Sequence, residues 1–432
     1  MLKWQRGRCS VRHSEGSRAG AIARPVGSRS VKRKALAALA ASTATLLLLG
    51  PLGTSQTLAA STSGIPKGPI VIGLPIALTG VINAYDSNVL IGAQTEAKLL
   101  NAKGGIDGHL VKLVTADTAS NIAQGGAAAD QVISEGAEFI LPTVDYNFGG
   151  GAARVAQAHN LITISAADDT RMGLSIGNDV FNLDVGGGTA GAVLAKYAHD
   201  TLKWTKAFVL EDTSIAADSA FGGGFGVSFA ALGGKVVNDT YEENTASEVA
   251  AVSKVQSAAS SVSGVLIAGF PPTGASVLRE IRAAGVSLPV LLGDGFDGNF
   301  WESAVSNLAH TYVISYGIVT PGQTGGSSAG RALAVARSQG EKVTIALSYL
   351  DGFSAVQAIA QGIFATDSVS ANKIRPFFES FRNHPLAIGP TTWTRSCHAR
   401  VGDPMIVGDF SGGLEHYVTT LTATVLPPDA CS

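Results

Sequence analysis

Apolar and polar positions alternate in a β/α rhythm from Pro69 onward. Pro69–Pro75 is a short apolar run with β-branched residues, the pattern of a strand buried on both faces. A polar loop follows, from Thr79–Gly80 to Asp86–Ser87–Asn88. Leu90, Ala93, Ala97 and Leu100 then recur at spacings of three and four, which predicts a helix with one apolar face. Ser87 or Asn88 is its expected cap. Gly104–Gly105 is its expected stop, because glycine enters the left-handed region without a Cβ clash. Leu110–Thr115 reads as the second strand.

The alternation continues with a helix over Asn121–Glu135, ended at Gly136, and a strand over Phe139–Val144. A helix over Ala152–His159, a strand over Leu161–Ser165 and a strand over Val180–Asp184 complete this run. Strands separated by helices point to a parallel, doubly wound sheet. A second cycle starts at Gly186, with a helix over Thr189–Leu202, a strand over Lys206–Leu210 and a glycine-rich helix start at Gly222–Gly226. Strands over Lys235–Asp239, Gly264–Ala268 and Pro289–Leu292 alternate with helices over Ser247–Ser260 and Gly274–Ala284. Strands over Thr311–Tyr316 and around Met405–Phe410 remain. The fold class read from this pattern is α/β, with two doubly wound lobes of similar size. The halves share a rhythm and are not sequence repeats.

Composition refines the picture. A chain of 432 residues, 46% of them hydrophobic, can fill two cores of ordinary domain size. Lys32–Lys34 precedes an apolar run, Ala35–Leu49; Pro51 breaks it and Thr57–Ala60 offers small residues for cleavage. Residues 1–60 therefore read as a signal peptide, and the mature protein as exported, periplasmic or secreted. An uncleaved anchor is the alternative, but the run is short of the roughly 20 apolar residues that span a bilayer, and no later stretch approaches that length. No cysteine follows the run to carry a lipid. The basic tract before Val31 is long for the start of a signal peptide; translation from Val31 would give a conventional one.

Residues 1–60 hold ten Lys/Arg and one Glu, which leaves 21 basic and 32 acidic residues and a net charge of −11. That charge disfavours nucleic acid and anionic membrane as partners. Cys397 and Cys431 remain. An oxidising compartment would allow them a disulfide that clips the C-terminus, with two unpaired thiols as the alternative.

The segment Asn101-Ala-Lys-Gly-Gly-Ile-Asp-Gly108, a helix stop followed by a turn, resembles that of the branched-chain amino-acid (leucine/isoleucine/valine) substrate-binding proteins of ABC transporters. These have the type I periplasmic binding-protein fold, and their first crossover helix ends in such a segment. The resemblance implies two lobes joined by a three-stranded hinge. Lobe 1 would comprise residues 68–185 and 311–403, lobe 2 residues 186–310 and 404–432, with the chain returning to lobe 1 at Thr311 and crossing last near Pro404. It also implies no cofactor, no enzymatic activity, a monomer, a small polar ligand and an ABC permease as partner.

Ligands of open α/β sheets bind beyond the carboxyl ends of the strands. Carried over by resemblance, the ligand's carboxylate would meet Asp145-Tyr146-Asn147 and Ala166-Ala167-Asp168 in lobe 1, with Thr79 and Tyr85 from the first loop. Its ammonium would meet Phe270 and an acid at Asp294 or Asp297 in lobe 2. Asp145 and Asp168 depart from the hydroxyl-bearing residues the family uses there, and a carboxylate beside ionised aspartates is repelled. Either the backbone amides and Asn147 hold it, or a neutral or cationic ligand is bound. The loop after Leu210 carries Asp212 in place of the family's tyrosine-bearing segment. Each aspartate also suits a helix cap or a surface carboxylate, and Tyr85 and Phe270 suit a core.

Other chemistry is weakly signalled. Gly-x-Ser-x-Gly occurs at Gly173–Gly177 and Gly326–Gly330, but Ser175 follows a charged loop and Ser328 a Gly/Ser loop, without the strand–turn–helix that a nucleophile elbow needs. A secreted serine hydrolase is thus a rival of another class, and a sensor of amides or aromatic acids without transport is a rival within the fold. Triple glycines at 149–151, 186–188 and 222–224 are placed to begin helices, yet none completes a dinucleotide fingerprint. The histidines lack metal-ligand spacing. Peptide mapping of the precursor is expected to return nothing from upstream of Val31; peptides from that tract would place the start earlier.

Overall fold

The structure, a computed structural model, describes residues 64–432 apart from 325–326, 428–430 and 432. The signal peptide expected over residues 1–60, and Gly326 of the second serine motif, lie outside the described residues. The described strands form two main sheets and a short hairpin. In the first sheet, β1 (Ile70–Ile76), β2 (Val111–Asp117), β3 (Phe139–Ile140), β4 (Ile162–Ser165) and β5 (Val180–Asn182) run parallel in the order β2-β1-β3-β4-β5. Every residue of β1 is buried, as its uninterrupted apolar run requires. Crossovers are made by α1 (Asn83–Ala102), α2 (Gly125–Ser134), α3 (Tyr146–Ala158) and the short α4 (Arg171–Ser175).

The chain then enters a second lobe through α5 (Gly187–Lys196). It continues as β6 (Lys206–Asp212), α6 (Ala216–Ala231), β7 (Lys235–Tyr241), α7 (Thr245–Ala258), β8 (Gly264–Ala268), α8 (Thr273–Ala283), β9 (Val290–Leu292) and β10 (Thr311–Ser315). Next, α9 (Ser328–Ser338), α10 (Ala346–Thr366), α11 (Ala371–Phe378) and the hairpin β11 (His384–Leu386) with β12 (Gly389–Thr391) follow. Of these, α10 packs on α1 and β4. The strands β13 (Met405–Asp409) and β14 (His416–Leu421) finish the second sheet, ordered β14-β13-β10-β9-β8-β6-β7. Its β6 to β10 are parallel, while β13 runs antiparallel to both β10 and β14. No helix of the described residues is long and apolar enough to cross a membrane.

Several expectations are corrected. The strand at Thr311 does not return to the first lobe: β10 pairs with β9, so the return comes after Ser315. Ser87 and Asn88 do not cap α1, which begins at Asn83; Asn88 instead clamps Thr344, donating to its Oγ1 at 3.0 Å and accepting from its N–H at 2.9 Å. Glycines 149–151 and 222–224 lie inside α3 and α6, and only 186–188 opens a helix. The Asn101–Gly108 segment works as a stop with a clamp. Asn101 exchanges hydrogen bonds with the backbone of Val111 at 2.7 and 2.9 Å, fixing the start of β2. Gly105 is left-handed (φ 87°), and a Cβ there would sit 2.1 Å from the His109 carbonyl oxygen.

Glycine also sets how closely the helices meet. A Cβ on Gly92 of α1 would lie 2.0 Å from the Tyr349 carbonyl oxygen, and one on Gly352 of α10 would lie 1.9 Å from that of Val89. The second lobe repeats the device: Gly191 of α5 faces the Phe221 carbonyl oxygen and Gly224 of α6 faces that of Gly188, each at 2.1 Å. Each lobe thus has a helix pair whose backbones meet at glycine.

Three segments cross between the lobes, and one buried network joins them. Arg400 is fully buried. It donates to the Leu183 carbonyl at 2.9 Å and to Asp403 at 2.9 Å, and its guanidinium lies 4.9 Å from the Tyr316 ring centroid. The Tyr316 hydroxyl donates to Asp184 and accepts from the Val185 N–H, both at 2.8 Å. Cys397 and Cys431 form a disulfide that ties the last segment back to the third crossing.

Adjacent glycines of α6 separate propensity from packing. Gly223 is exposed and has open space around it, whereas Gly224 is buried against α5. Gly223→Ala is expected to stabilise by about 0.5–1 kcal/mol, and Gly224→Ala to destabilise by about 1–3 kcal/mol, read from urea unfolding midpoints; equal effects would contradict the close crossing.

Candidate functional site

Loops leaving the carboxyl ends of strands in both sheets enclose a cavity of about 740 Å³, counting space open to solvent. From the first lobe come Ile82 and Tyr85 after β1, Val144 and Asp145 after β3, and Ala166 and Asp168 after β4. Asp184 and Gly187 enter from the first crossing. The second lobe supplies Ile215 to Asp218 after β6, Gly269 and Phe270 after β8, and Gly293 to Gly295 after β9. Ile345, Leu347 and Ser348, where α10 begins, close the ring.

Local chemistry positions these groups. Asp145 has φ 70° and caps α3, its Oδ1 accepting from the N–H groups of Asn147 (2.6 Å) and Phe148 (3.2 Å). It is therefore a helix cap and a cavity wall at once. Asp86, fully buried, accepts from Ala77 N–H at 2.6 Å and Val144 N–H at 3.0 Å, holding the loops after β1 and β3 together. Arg171 pairs with Asp169, which leaves Asp168 to the cavity with its Oδ1 unpartnered. Tyr85 spans the gap: its hydroxyl donates to the Gly295 carbonyl at 2.7 Å, and its ring meets Phe300 edge-on at 5.5 Å.

Of the residues expected to bind, Tyr85, Asp145, Ala166, Asp168, Phe270 and Asp294 line this one cavity. The others do not. Thr79 is exposed and donates to Asp117 at 2.7 Å. Tyr146 faces Arg154 and Arg171, whose guanidinium carbons lie 5.4 and 4.5 Å from its ring centroid. Asn147 belongs to the first turn of α3, and Ala167 is buried with its N–H on Asn182 at 3.0 Å. Asp212 closes its own turn by accepting from the Ser214 N–H at 2.9 Å. Asp297 stands behind the wall, where it accepts from the Leu347 N–H at 2.5 Å at the start of α10. Asp184, Asp218 and Ser348 were not expected at the cavity. The signal for Asp218 was a polar residue in the first turn after β6, masked by placing the helix start at Gly222.

Residues 69–413 match the family model described as periplasmic binding protein. The chain belongs to that family. A Leu/Ile/Val-binding protein of Rhizobium johnstonii is 27% identical over 352 residues, 78% of this chain and 92% of the relative. The leucine-binding protein LivK of Thermotoga maritima superposes with a TM-score of 0.72 at 20% identity, covering 83% of this chain and 99% of its own. A solute-binding protein of Rhodopseudomonas palustris, solved with benzoate, superposes with a TM-score of 0.70 at 16% identity, covering 84% and 99%. The fold is the type I periplasmic binding-protein fold, and the family is one of solute-binding receptors rather than enzymes. Neither serine motif forms an elbow: Ser175 ends α4 with its Oγ donating to the Arg171 carbonyl at 2.8 Å, and Ser328 opens α9 after a loop.

Within this periplasmic binding protein the wall is strongly acidic. Asp145, Asp168, Asp184, Asp218 and Asp294 all line the cavity, and among the described residues lining it there is no lysine, arginine or histidine. Burial comes first in raising their affinity for protons, and their mutual repulsion adds to it. Asp294 is pushed up to about 8, and Asp145 to about 6 against two N–H groups that pull it down. Asp168 and Asp218 lie well above the carboxylate range, each buried and each in the field of Asp145 and Asp294. Behind the wall, burial holds Asp297 at about 7.

Unfolded, these aspartates titrate near 4. From about pH 4 to 8 the folded chain binds more protons than the unfolded one, so its stability falls as pH rises. Urea midpoints of the ligand-free protein are expected to drop across that window, and Asp294→Asn to flatten the part between pH 6 and 8. A wild-type midpoint rising through that part would contradict the buried-acid wall.

Proposed function

We propose that the chain is an exported solute-binding receptor of an ABC transporter, which takes an amino acid or related small polar ligand between its lobes and delivers it to a membrane permease. The observation that carries this is a cavity lined by strand-end loops of both sheets, in a chain whose residues 69–413 match the family. The relatives' names support the ligand class, while the benzoate complex of one structural neighbour keeps aromatic acids within range. The mechanism is hinge closure: a ligand touching both walls binds the closed form better and so shifts the population toward it. Tyr85 belongs to that closed form, because its bond to Gly295 joins the lobes. Lobe boundaries near residues 185, 316 and 404 follow from the three crossing segments.

The test is a thermal-shift screen of the refolded mature chain against amino acids, amides, polyamines and aromatic acids. A ligand at about 100 times its Kd contributes about 2.7 kcal/mol, which is expected as a rise in Tm of about 3 °C or more. Tyr85→Phe is expected to weaken that ligand about 3- to 10-fold, since one hydrogen bond of the closed form is lost. A screen in which no class shifts the Tm, together with no small molecule in the mass spectrum of the natively purified protein, would overturn the reading.

A further inference from the structure

The cavity's charge and its unpartnered groups narrow the ligand class, an inference that rests on the receptor reading above. Carboxylates come from every side of the ring: Asp145 and Asp168 from the first lobe, Asp184 from the crossing, Asp218 and Asp294 from the second lobe. The nearest guanidinium groups are engaged elsewhere, Arg171 with Asp169 and Arg400 with Asp403 and the Leu183 carbonyl. Two further observations point to a guest. Ser348, 1% exposed, lines the cavity with a hydroxyl that has no protein partner. Asp168, Asp218 and Asp294 each carry one carboxylate oxygen without a partner. Buried polar groups are satisfied in native proteins; a donor would satisfy these oxygens, and a cationic donor would also let the carboxyls ionise. The lining also carries apolar side chains, Ile82, Ile215, Phe221, Phe270 and Leu347.

We propose that the ligand is a small organic dication, an α,ω-diamine or amino-guanidine, with one cationic end at Asp145 and Asp168, the other at Asp218 and Asp294, and a hydrocarbon body against the apolar side chains. A zwitterion would set its carboxylate against one of these walls with no cation to meet it. A lone carboxylate such as benzoate would be repelled by both.

The experiment titrates the full mature chain, unfolded and refolded to strip bound solutes, with 1,4-diaminobutane, agmatine, L-leucine and benzoate, following intrinsic tryptophan fluorescence. Saturable binding of 1,4-diaminobutane or agmatine, at least 100-fold tighter than L-leucine or benzoate, is expected. Asp168→Asn and Asp218→Asn, each checked for native circular dichroism, are expected to weaken the dication at least 10-fold. L-leucine or benzoate binding within 10-fold of the dications would overturn the proposal while leaving the receptor reading intact. So would an unchanged dication affinity in both variants. Binding of none of the four probes would also overturn it, and the receptor reading would then stand or fall on the thermal-shift screen.

Discussion

The arrangement of the molecule depends on one buried guanidinium. Arg400 has no access to solvent, and a charge in that position costs several kcal/mol unless its donors are met. The Leu183 carbonyl from the first crossing and Asp403 from the third accept from it, as does the Pro390 carbonyl, and the Tyr316 ring from the second lies against its face. Tyr316 relays the contact, donating to Asp184 and receiving from Val185. A one-residue slip in any crossing would strand a charge. The register of the two sheets is therefore fixed at the hinge, and with it the direction in which their strand ends face.

Rigidity within each lobe complements that hinge. The pairs α1 with α10 and α5 with α6 approach until a single methyl would overlap a carbonyl oxygen. Packing this close has two discrete outcomes, fit or clash, and does not deform gradually. Under the proposed hinge closure, the parts that must change are the crossings and the bonds that span the gap, such as Tyr85 to Gly295 and Asp297 to Leu347.

Much of this was legible in the sequence, for identifiable reasons. Buried parallel strands are continuous apolar runs, so β1, β8 and β9 announce themselves. The loop after a strand is where open sheets bind, and the family resemblance picked positions within those loops, so Tyr85, Asp145, Asp168, Phe270 and Asp294 could be named as candidates without coordinates. What failed shares a cause: a side chain's nearest partner decides where it points. Thr79 turns to Asp117, Tyr146 to two arginines, Asp212 to its own turn and Asp297 to α10. None of those partners is set by periodicity. Glycine misled in a related way. Gly222–Gly224 looks like a helix start because isolated glycine disfavours helix, yet within α6 the requirement is close approach to α5. Placing that start at Gly222 rather than at Ala216 is what hid Asp218.

The acidic wall then has a consequence for closure. Each raised carboxyl is an ionisation that the folded state resists, so the wall lowers stability at neutral pH, although Asp145 also caps α3 and Asp184 also accepts from Tyr316 at the hinge. Its carboxyls sit on both lobes, and closing them into one cavity forces each either to take up a proton or to repel the others, which favours separation of the walls. A neutral ligand would leave that bias in place, and an anionic one would add to it. A cation reverses it, because one guest then attracts both walls at once. On the proposed reading, the free energy that opposes closure in the absence of ligand is released by the guest that closes the cleft, and we infer that the same five aspartates serve recognition and the switch together.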